Sequence, residues 1–324
     1  MKQHPFSYNI SNDYVVHGDR YVPEDQNVKS LVFVVHGMSE YRRDYEDLAL
    51  RLVDQGHAVV LFDLRGHGDS LVQKQRGFFW FNEGIDRQLD DMSYIFAMQR
   101  KACPNVPNVL LGHSLGSLLA RAYVKRNPSE FSALLLMGSP AWSKRIPWVK
   151  ALTGVISFFA PLMPARFVEK EMIKSFSKHL DGLKLPWRWL ASNETRAEAF
   201  YQDPHCAFPF TYRGMYDVFS LMREVYRSKH WMVTQRQLPI LFLTGTEDGC
   251  ADVVGGGLKA AVGTLREQGY ENVKEMLYQG CRHQLLFEVE ANRVIEDIGR
   301  FVDQVVEDKL AIRPEQPSGV KSEA

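Results

Sequence analysis

Residues 108–122 read NVLLGHSLGSLLARA. An apolar run stops at Gly112, Ser114 stands two positions on, Gly116 two further, and a helical pattern of small and apolar residues begins. The segment reads as a buried strand turning sharply into a helix. A serine at such a turn has two physical uses. Its hydroxyl can cap the helix by accepting a first-turn N–H, or it can be a nucleophile held out on a turn so tight that glycines must flank it. The rest of the chain has to decide between them.

Outward from this turn, short apolar runs alternate with helical patterns. The runs are SLVFVVHG (30–37), HAVVLFD (57–63), NVLLG (108–112), SALLLMGS (132–139), PILFLTG (239–245) and VKEMLYQG (273–280). Most are continuous rather than alternating, as strands covered on both faces require. YEDLALRLVDQG (45–56) and VVGGGLKAAVGTLREQG (253–269) read as crossover helices closed by glycine. This rhythm predicts a mostly parallel central sheet flanked by helices, with VVHGDRY (15–21) starting it as an antiparallel strand.

One interval breaks the rhythm. Residues 141–236 show helical patterns interrupted by proline, hold five of the six tryptophans, and carry 15 Lys/Arg against 8 Asp/Glu. We expect a helical cap there, inserted into a core made of residues 1–140 and 237–312, with a frayed polar tail over 313–324. Within the cap, ALTGVISFFAPLMPA (151–165) has no charge, and RFVEKEMIKSFSKHL (166–180) spaces apolar residues among four basic ones. Two readings fit that pattern. The segment roofs a pocket and packs on the core, or it lies as an amphipathic wedge in a membrane interface.

Composition excludes several classes. Hydrophobic residues make up 45% and charged residues 24%, the balance of a soluble globular chain, and the formal net charge is zero, so nucleic acid is not an expected partner. The N-terminus lacks the apolar core of a signal peptide, and no run reaches the roughly 18 uncharged apolar residues that span a bilayer. Four cysteines without an export signal fit free thiols and a cytoplasmic chain, peripheral at a membrane if the wedge reading holds. There is no CxxC or HExxH, so a metal site has no support in the sequence, and the serine chemistry considered below calls for no cofactor. The sequence carries no indication of oligomeric state.

A serine nucleophile needs a base, and the base needs an acid to fix its tautomer. For a strand–turn–helix nucleophile the chain order is serine, acid, histidine, and the partners should come after later strands. PILFLTGTEDG puts Asp248 just past one run, and VKEMLYQGCRHQ puts His283 just past the next. Glu247 and Asp252 compete with Asp248; His36, His67 and His113 compete with His283 but sit inside turn motifs. An oxyanion hole needs two N–H groups. Leu115, after the serine, supplies one, and LVFVVHGMSEY supplies the other at Met38, where Gly37 lets the backbone turn in. DLRGHGDS (63–70) reads as scaffold, its Asp69 or Ser70 capping the next element. Cys250 and Cys281, beside the acid and the base, read as buried thiols.

The ordered set HGMSEY, FDLRGHGDS, GHSLG, TGTEDG and GCRH resembles the α/β-hydrolase superfamily, in its monoacylglycerol lipase and lysophospholipase branch, over about residues 10–305. The resemblance implies an α/β-hydrolase fold with a helical cap. It makes Ser114 the nucleophile, Asp248 the acid, His283 the base, and Met38 with Leu115 the oxyanion donors. It further implies a serine carboxylester hydrolase working through an acyl-enzyme on a lipid-like acyl ester, such as a monoacylglycerol or lysophospholipid. Two positions depart from the family pattern, Gln284 after the histidine and Gly249-Cys250 after the acid. An aminopeptidase is a second possibility; it would need a cap acid for the substrate amine, against the cap's basic excess. A non-catalytic binding protein is a third, although such proteins usually lose a triad member.

Overall fold

The computed structural model describes residues 1–11, 14–180, 187–227 and 233–312. Its strands, in chain order, are β1 (Lys2–Ser11), β2 (Tyr14–Val22), β3 (Leu31–Val35), β4 (Ala58–Phe62), β5 (Asn108–His113), β6 (Ala133–Met137), β7 (Ile240–Gly245) and β8 (Val273–Tyr278). They form one sheet in the order β1-β2-β4-β3-β5-β6-β7-β8. β1, β2 and β4 pair antiparallel, and all pairs from β4 across to β8 are parallel. The six apolar runs and the VVHGDRY segment all became strands. β1 was not foreseen, although Phe6, Tyr8 and Ile10 alternate toward the core there while the intervening residues stay in solvent.

Strand alternation divides the core into two layers. Phe33, Val35, Val60 and Leu110 face one cluster, while Val32, Val34, Val59 and Leu111 face the other. The first layer is covered by α2 (Gly84–Ala102), α3 (Leu115–Arg126) and α8 (Gly257–Gln268), the second by α1 (Glu46–Asp54) and α9 (Ala291–Ile312). On α9, Val294, Ile295, Ile298, Val302 and Val305 recur at helical spacing and are buried. Each such side chain contributes about 1.5–3 kcal/mol. That stripe is what holds the last helix to the sheet.

Between β6 and β7 run α4 (Ile146–Phe159), α5 (Arg166–Phe176), α6 (Glu194–Gln202) and α7 (Tyr212–Val225). Among the described residues of 141–236 there is no strand, only an isolated bridge between Pro164 and Thr211. α7 lies against α3 and so ties this helical group to the sheet. The tail expected to fray, 313–324, lies outside the described residues. No helix among those described is long and apolar enough to cross a membrane.

The strand order fixes where a site can form. The chain passes from β3 to β4 on one side, then returns to place β5 on the other side of β3. Loops leaving the C-terminal ends of β3 and β5 therefore diverge, and the crevice between them is the natural place for a ligand. The Met38 turn and Ser114 both stand at that crevice.

Candidate active site

Ser114 closes β5 with φ +50° and ψ −116°, and α3 begins at the next residue. Its side chain makes no capping bond. Oγ lies instead 2.9 Å from Nε2 of His283, so the capping use of this serine is absent. The flanking glycines are a packing requirement. A Cβ on Gly112 would lie 2.3 Å from the Gly116 carbonyl oxygen, and one on Gly116 would lie 2.0 Å from that of Val35. α3 can sit directly on β3 only because neither exists.

His283 comes after β8 in a loop, and its Nδ1–H faces both oxygens of Asp248 at 3.1 Å each. Both residues are buried. Asp248 also accepts from the N–H groups of Cys250 (2.8 Å) and Ala251 (3.1 Å). Burial alone would raise this carboxyl. The neighbouring His283 and the two amides outweigh it and hold Asp248 below the ordinary carboxylate range. Across the ring of His283 lies Trp189, its ring centre 5.1 Å away. The competing acids are elsewhere. Glu247 is exposed toward Arg282. Asp252 sits at φ +47° in a turn that precedes α8, 4.0 Å from His179.

The Met38 turn is bound on both sides of Met38. Gly37 N–H donates to Glu40 Oε2 (2.8 Å), and the Gly37 carbonyl accepts from Nδ1 of His36 (2.8 Å). Ser39, at φ +58°, donates its N–H to Nε2 of His67 (3.2 Å), and its carbonyl accepts from Ala207 N–H (3.0 Å). Neither Met38 N–H nor Leu115 N–H has a backbone acceptor among the described residues. His36 Nε2 accepts from Leu64 N–H (2.9 Å) and His67 Nδ1–H donates to the Arg65 carbonyl (3.1 Å), so each ring donates at one nitrogen and accepts at the other, and burial pushes both below the ordinary imidazole range.

The 63–70 segment is scaffold, though not by capping. Asp63 accepts from the N–H groups of Arg42 and Asp69 at 2.9 Å each, and Arg65 forms a bidentate pair with Asp91. Ser70 Oγ accepts from His17 N–H (2.9 Å). The next helix begins only at Gly84, so neither Asp69 nor Ser70 caps one. Cys250 and Cys281 are buried, unbonded thiols, and burial pushes both upward. At Gly249, a Cβ would lie 1.8 Å from the Phe176 carbonyl oxygen. The departure at that position reflects how closely the end of α5 approaches.

Above Ser114 opens a cavity of about 470 Å³, lined mainly by apolar residues of the core and of α4, α5 and α7, among them Leu118, Val149, Leu152, Met172 and Phe219. Charged groups also reach it from the same region, namely Glu169, Glu171 and Arg145. The apolar run 151–165 divides. Leu152 lines the cavity, whereas Phe158 and Phe159 are 81% and 80% exposed, with Val155 and Met163 also exposed around that end and Trp148 exposed at the start of α4. Packing on the core therefore does not describe the end of α4. Among the described residues no His/Cys/Asp/Glu group could hold a metal.

Motif reading missed Trp189, which comes from the irregular stretch before α6, and Glu288. Glu288 accepts from Arg282 N–H (2.7 Å) and Ser192 N–H (2.9 Å), linking the His283 loop to the helical group. Neither had a signal in local pattern.

The family described as serine aminopeptidase, S33, matches residues 26–290. Among proteins of similar sequence, the monoacylglycerol lipase of Mycolicibacterium smegmatis is 23% identical over 283 residues, covering 86% of this chain and 89% of that one. The monoglyceride lipase of Homo sapiens is 23% identical over 290 residues, covering 88% and 86%. Among solved structures, a thermostable carboxyl esterase from Bacillus coagulans superposes with a TM-score of 0.82 at 22% identity, over 94% of this chain and 99% of that one. A soluble variant of the monoglyceride lipase from Saccharomyces cerevisiae gives 0.74 at 17%, over 93% and 94%.

Proposed function

The chain belongs to the serine aminopeptidase S33 family and has the α/β-hydrolase fold, and from that premise we propose that it is a serine carboxylester hydrolase acting on a lipid-like acyl ester. The monoacylglycerol and monoglyceride lipases it is similar to support the substrate class. The observation that carries the reading is the hydrogen-bonded series Ser114–His283–Asp248 at the foot of an apolar cavity. Residues 141–236 serve as the cap over that cavity.

In this reading His283 Nε2 takes the Ser114 proton as Oγ attacks the ester carbonyl. Asp248 holds the Nδ1–H tautomer and stabilises the imidazolium. The oxyanion rests on the N–H groups of Met38 and Leu115, the second strengthened by the N-terminus of α3. His283 then returns the proton to the leaving alcohol. Water, activated by the same nitrogen, releases the acid from the acyl-enzyme. Every proton and electron pair in this sequence is carried by the chain, the ester and water. Ester hydrolysis should be measured on a monoacylglycerol, a lysophosphatidylcholine, and p-nitrophenyl acetate and decanoate. Preference for decanoate over acetate, abolished in Ser114→Ala, is expected; equal kcat/KM for both esters rejects a long acyl site.

The exposed end of α4 supports a peripheral contact with an anionic lipid surface. Phe158 and Phe159 make an apolar wedge too short to span a bilayer, Trp148 is exposed at the start of the same helix, and the basic residues Lys150 on α4 and Arg166, Lys170 and Lys174 on α5 lie in the same part of the chain.

A second reading has one observation in its favour. An aminopeptidase needs a cap acid for the substrate amine, and Glu169 lines the cavity with its carboxyl raised by burial. A panel of aminoacyl p-nitroanilides tests it. Turnover of those amides faster than of decanoate, lost in Glu169→Gln, would favour the peptidase.

A further inference from the structure

Glu40 lies just beyond Met38 in the same turn and is only 2% exposed, yet its carboxylate is surrounded by donors. Gly37 N–H (2.8 Å) and Tyr45 O–H (2.5 Å) reach Oε2, and Gln284 Nε2 reaches Oε1 (3.0 Å). Nδ1 of His113 lies 3.0 Å from Oε1 and 3.1 Å from Oε2. Gln284 Nε2 is also 3.3 Å from that nitrogen, but its nearer acceptor is the carboxylate. His113 is wholly buried, and its other nitrogen, Nε2, faces the main-chain carbonyl of His283 at 3.3 Å.

A neutral imidazole has one N–H and one lone pair. Both nitrogens of His113 face oxygen acceptors, so either neutral tautomer would set a lone pair against an oxygen. The doubly protonated ring satisfies both contacts and supplies the counter-charge that a buried carboxylate requires. We propose that His113 is a standing imidazolium paired with Glu40, and that this pair acts as positioning machinery. It holds the oxyanion turn, the nucleophile strand and the base's loop in register.

The three segments it joins are those that must agree to a fraction of an ångström. Glu40 closes the turn that presents Met38, His113 immediately precedes Ser114, and Gln284 and the His283 carbonyl belong to the loop of the base. A buried ion pair is weak evidence of net stability, because desolvation offsets the attraction; its best-attested use is in fixing register. Burial would raise the Glu40 carboxyl, but the His113 charge, with the Tyr45 and Gly37 bonds, brings it down to about 2. The other titratable groups near the pair do not replace either partner. His36 and His67 are pushed down and Asp44 and Tyr45 up by burial, Asp63 is engaged by Arg42, and His283 is paired with Asp248. The unusual Gln284 gains a role here, as a neutral donor to a carboxylate that already has its cation.

The positioning role rests on Ser114, His283 and Met38 being the reacting set, while the protonation state does not. The test therefore has two arms on the full chain. In the first, nitrogen-15 histidine spectra at about pH 7.5 should show one ring with both nitrogens protonated. That signal should vanish in His113→Gln and persist in Tyr45→Phe. A His113 ring with a single N–H at neutral pH overturns the proposal, even in a chain without esterase activity. In the second arm, active sites are titrated with a fluorophosphonate and kcat is expressed per labelled site, so loss of folded protein does not enter. Glu40→Gln should lower kcat on p-nitrophenyl decanoate at least about tenfold, as small misplacements of reacting groups do, with KM within about twofold. Wild-type kcat per site in Glu40→Gln sinks the positioning role. Should that variant fail to fold, Gln284→Leu, which removes one donor and keeps the ion pair, is expected to lower kcat per site about threefold, and no change there counts equally against it.

Discussion

Oγ of Ser114 stands 2.9 Å from Nε2 of His283 while the serine backbone is held at φ +50° and ψ −116°. An L-residue rarely adopts that conformation. The turn is held in it by the bond from Ser114 N–H to the carbonyl of Met137 at the end of the neighbouring strand β6 (2.9 Å). The side chain is thereby aimed away from the helix it precedes and toward the histidine.

On the proposed mechanism, replacing Ser114 by alanine removes the attacking atom. Ester turnover should fall on the order of 10⁶-fold, leaving a residual from the oxyanion donors. The circular dichroism spectrum should be unchanged. A fluorophosphonate should label wild type at Ser114 and leave the variant unlabelled; mass spectrometry of the labelled peptide checks the position.

The acid is tested by a pair of substitutions. Asp248→Asn leaves the shape but loses the charge facing His283 and the correct tautomer, so kcat should drop on the order of 10⁴-fold. Asp252 is half-exposed and 4.0 Å from His179. Asp252→Asn should therefore change kcat less than about threefold, as surface pairs contribute little. Comparing the two kcat values decides it, and the reverse ranking would place the acid in the wrong turn.

Three buried histidines, His36, His57 and His67, are pushed by burial below the ordinary 6.5, His57 to about 4. The unfolded chain takes up these protons as pH falls below about 6.5, and the folded chain does not. Their stabilising effect is complete above about 6.5. Below it, these three rings together remove up to about 4 kcal/mol per pH unit, opposed by Asp91 and Asp217, whose carboxyls burial pushes up to about 6, until His57 begins to protonate near 4 in the folded state. Urea midpoints at about pH 7.5, 6 and 5 in wild type and in His57→Gln isolate one ring's share; the same pH dependence in both shows that His57 charges in the folded protein.

The exposed end of α4 can be tested apart from the cavity. Phe158→Ser with Phe159→Ser removes side chains that are 81% and 80% exposed, so kcat/KM on a soluble ester should stay within about twofold. Sedimentation with anionic liposomes should be lost, and wild-type binding should weaken as salt rises. Binding that survives the double substitution places the contact elsewhere.

Narrowing the cavity should act differently. Val149→Trp introduces bulk into a cavity of about 470 Å³ beside Leu152 and Met172. The ratio of kcat/KM for decanoyl to acetyl ester should fall at least about tenfold, with the acetyl rate little changed. An unaltered ratio would mean the acyl chain runs along another wall.

Much of this molecule is written in local pattern. Continuous apolar runs mark β3 to β7 because neighbours a few residues apart decide whether a strand is covered on one face or both. The Gly112–Ser114–Gly116 spacing marks the turn because close packing there tolerates no Cβ. Asp248 and His283 are legible because each comes just after a strand end, and parallel strands deliver their loops to one edge. β1 also left a trace, in the alternation of Phe6, Tyr8 and Ile10.

The relations between segments far apart in the chain belong to the closed fold alone. Nothing local in HGMSEY tells Glu40 that His113 and Gln284 will meet it, or tells Trp189 that it will lie over His283. The same helical pattern in 151–165 put Leu152 on the cavity and Phe158 in solvent, since the facing of a helix depends on what packs against it. Periodicity fixes which residues share a face; burial, charge pairing and hydrogen-bond completion fix what that face meets, and those are settled only when the sheet and the inserted helices close on each other.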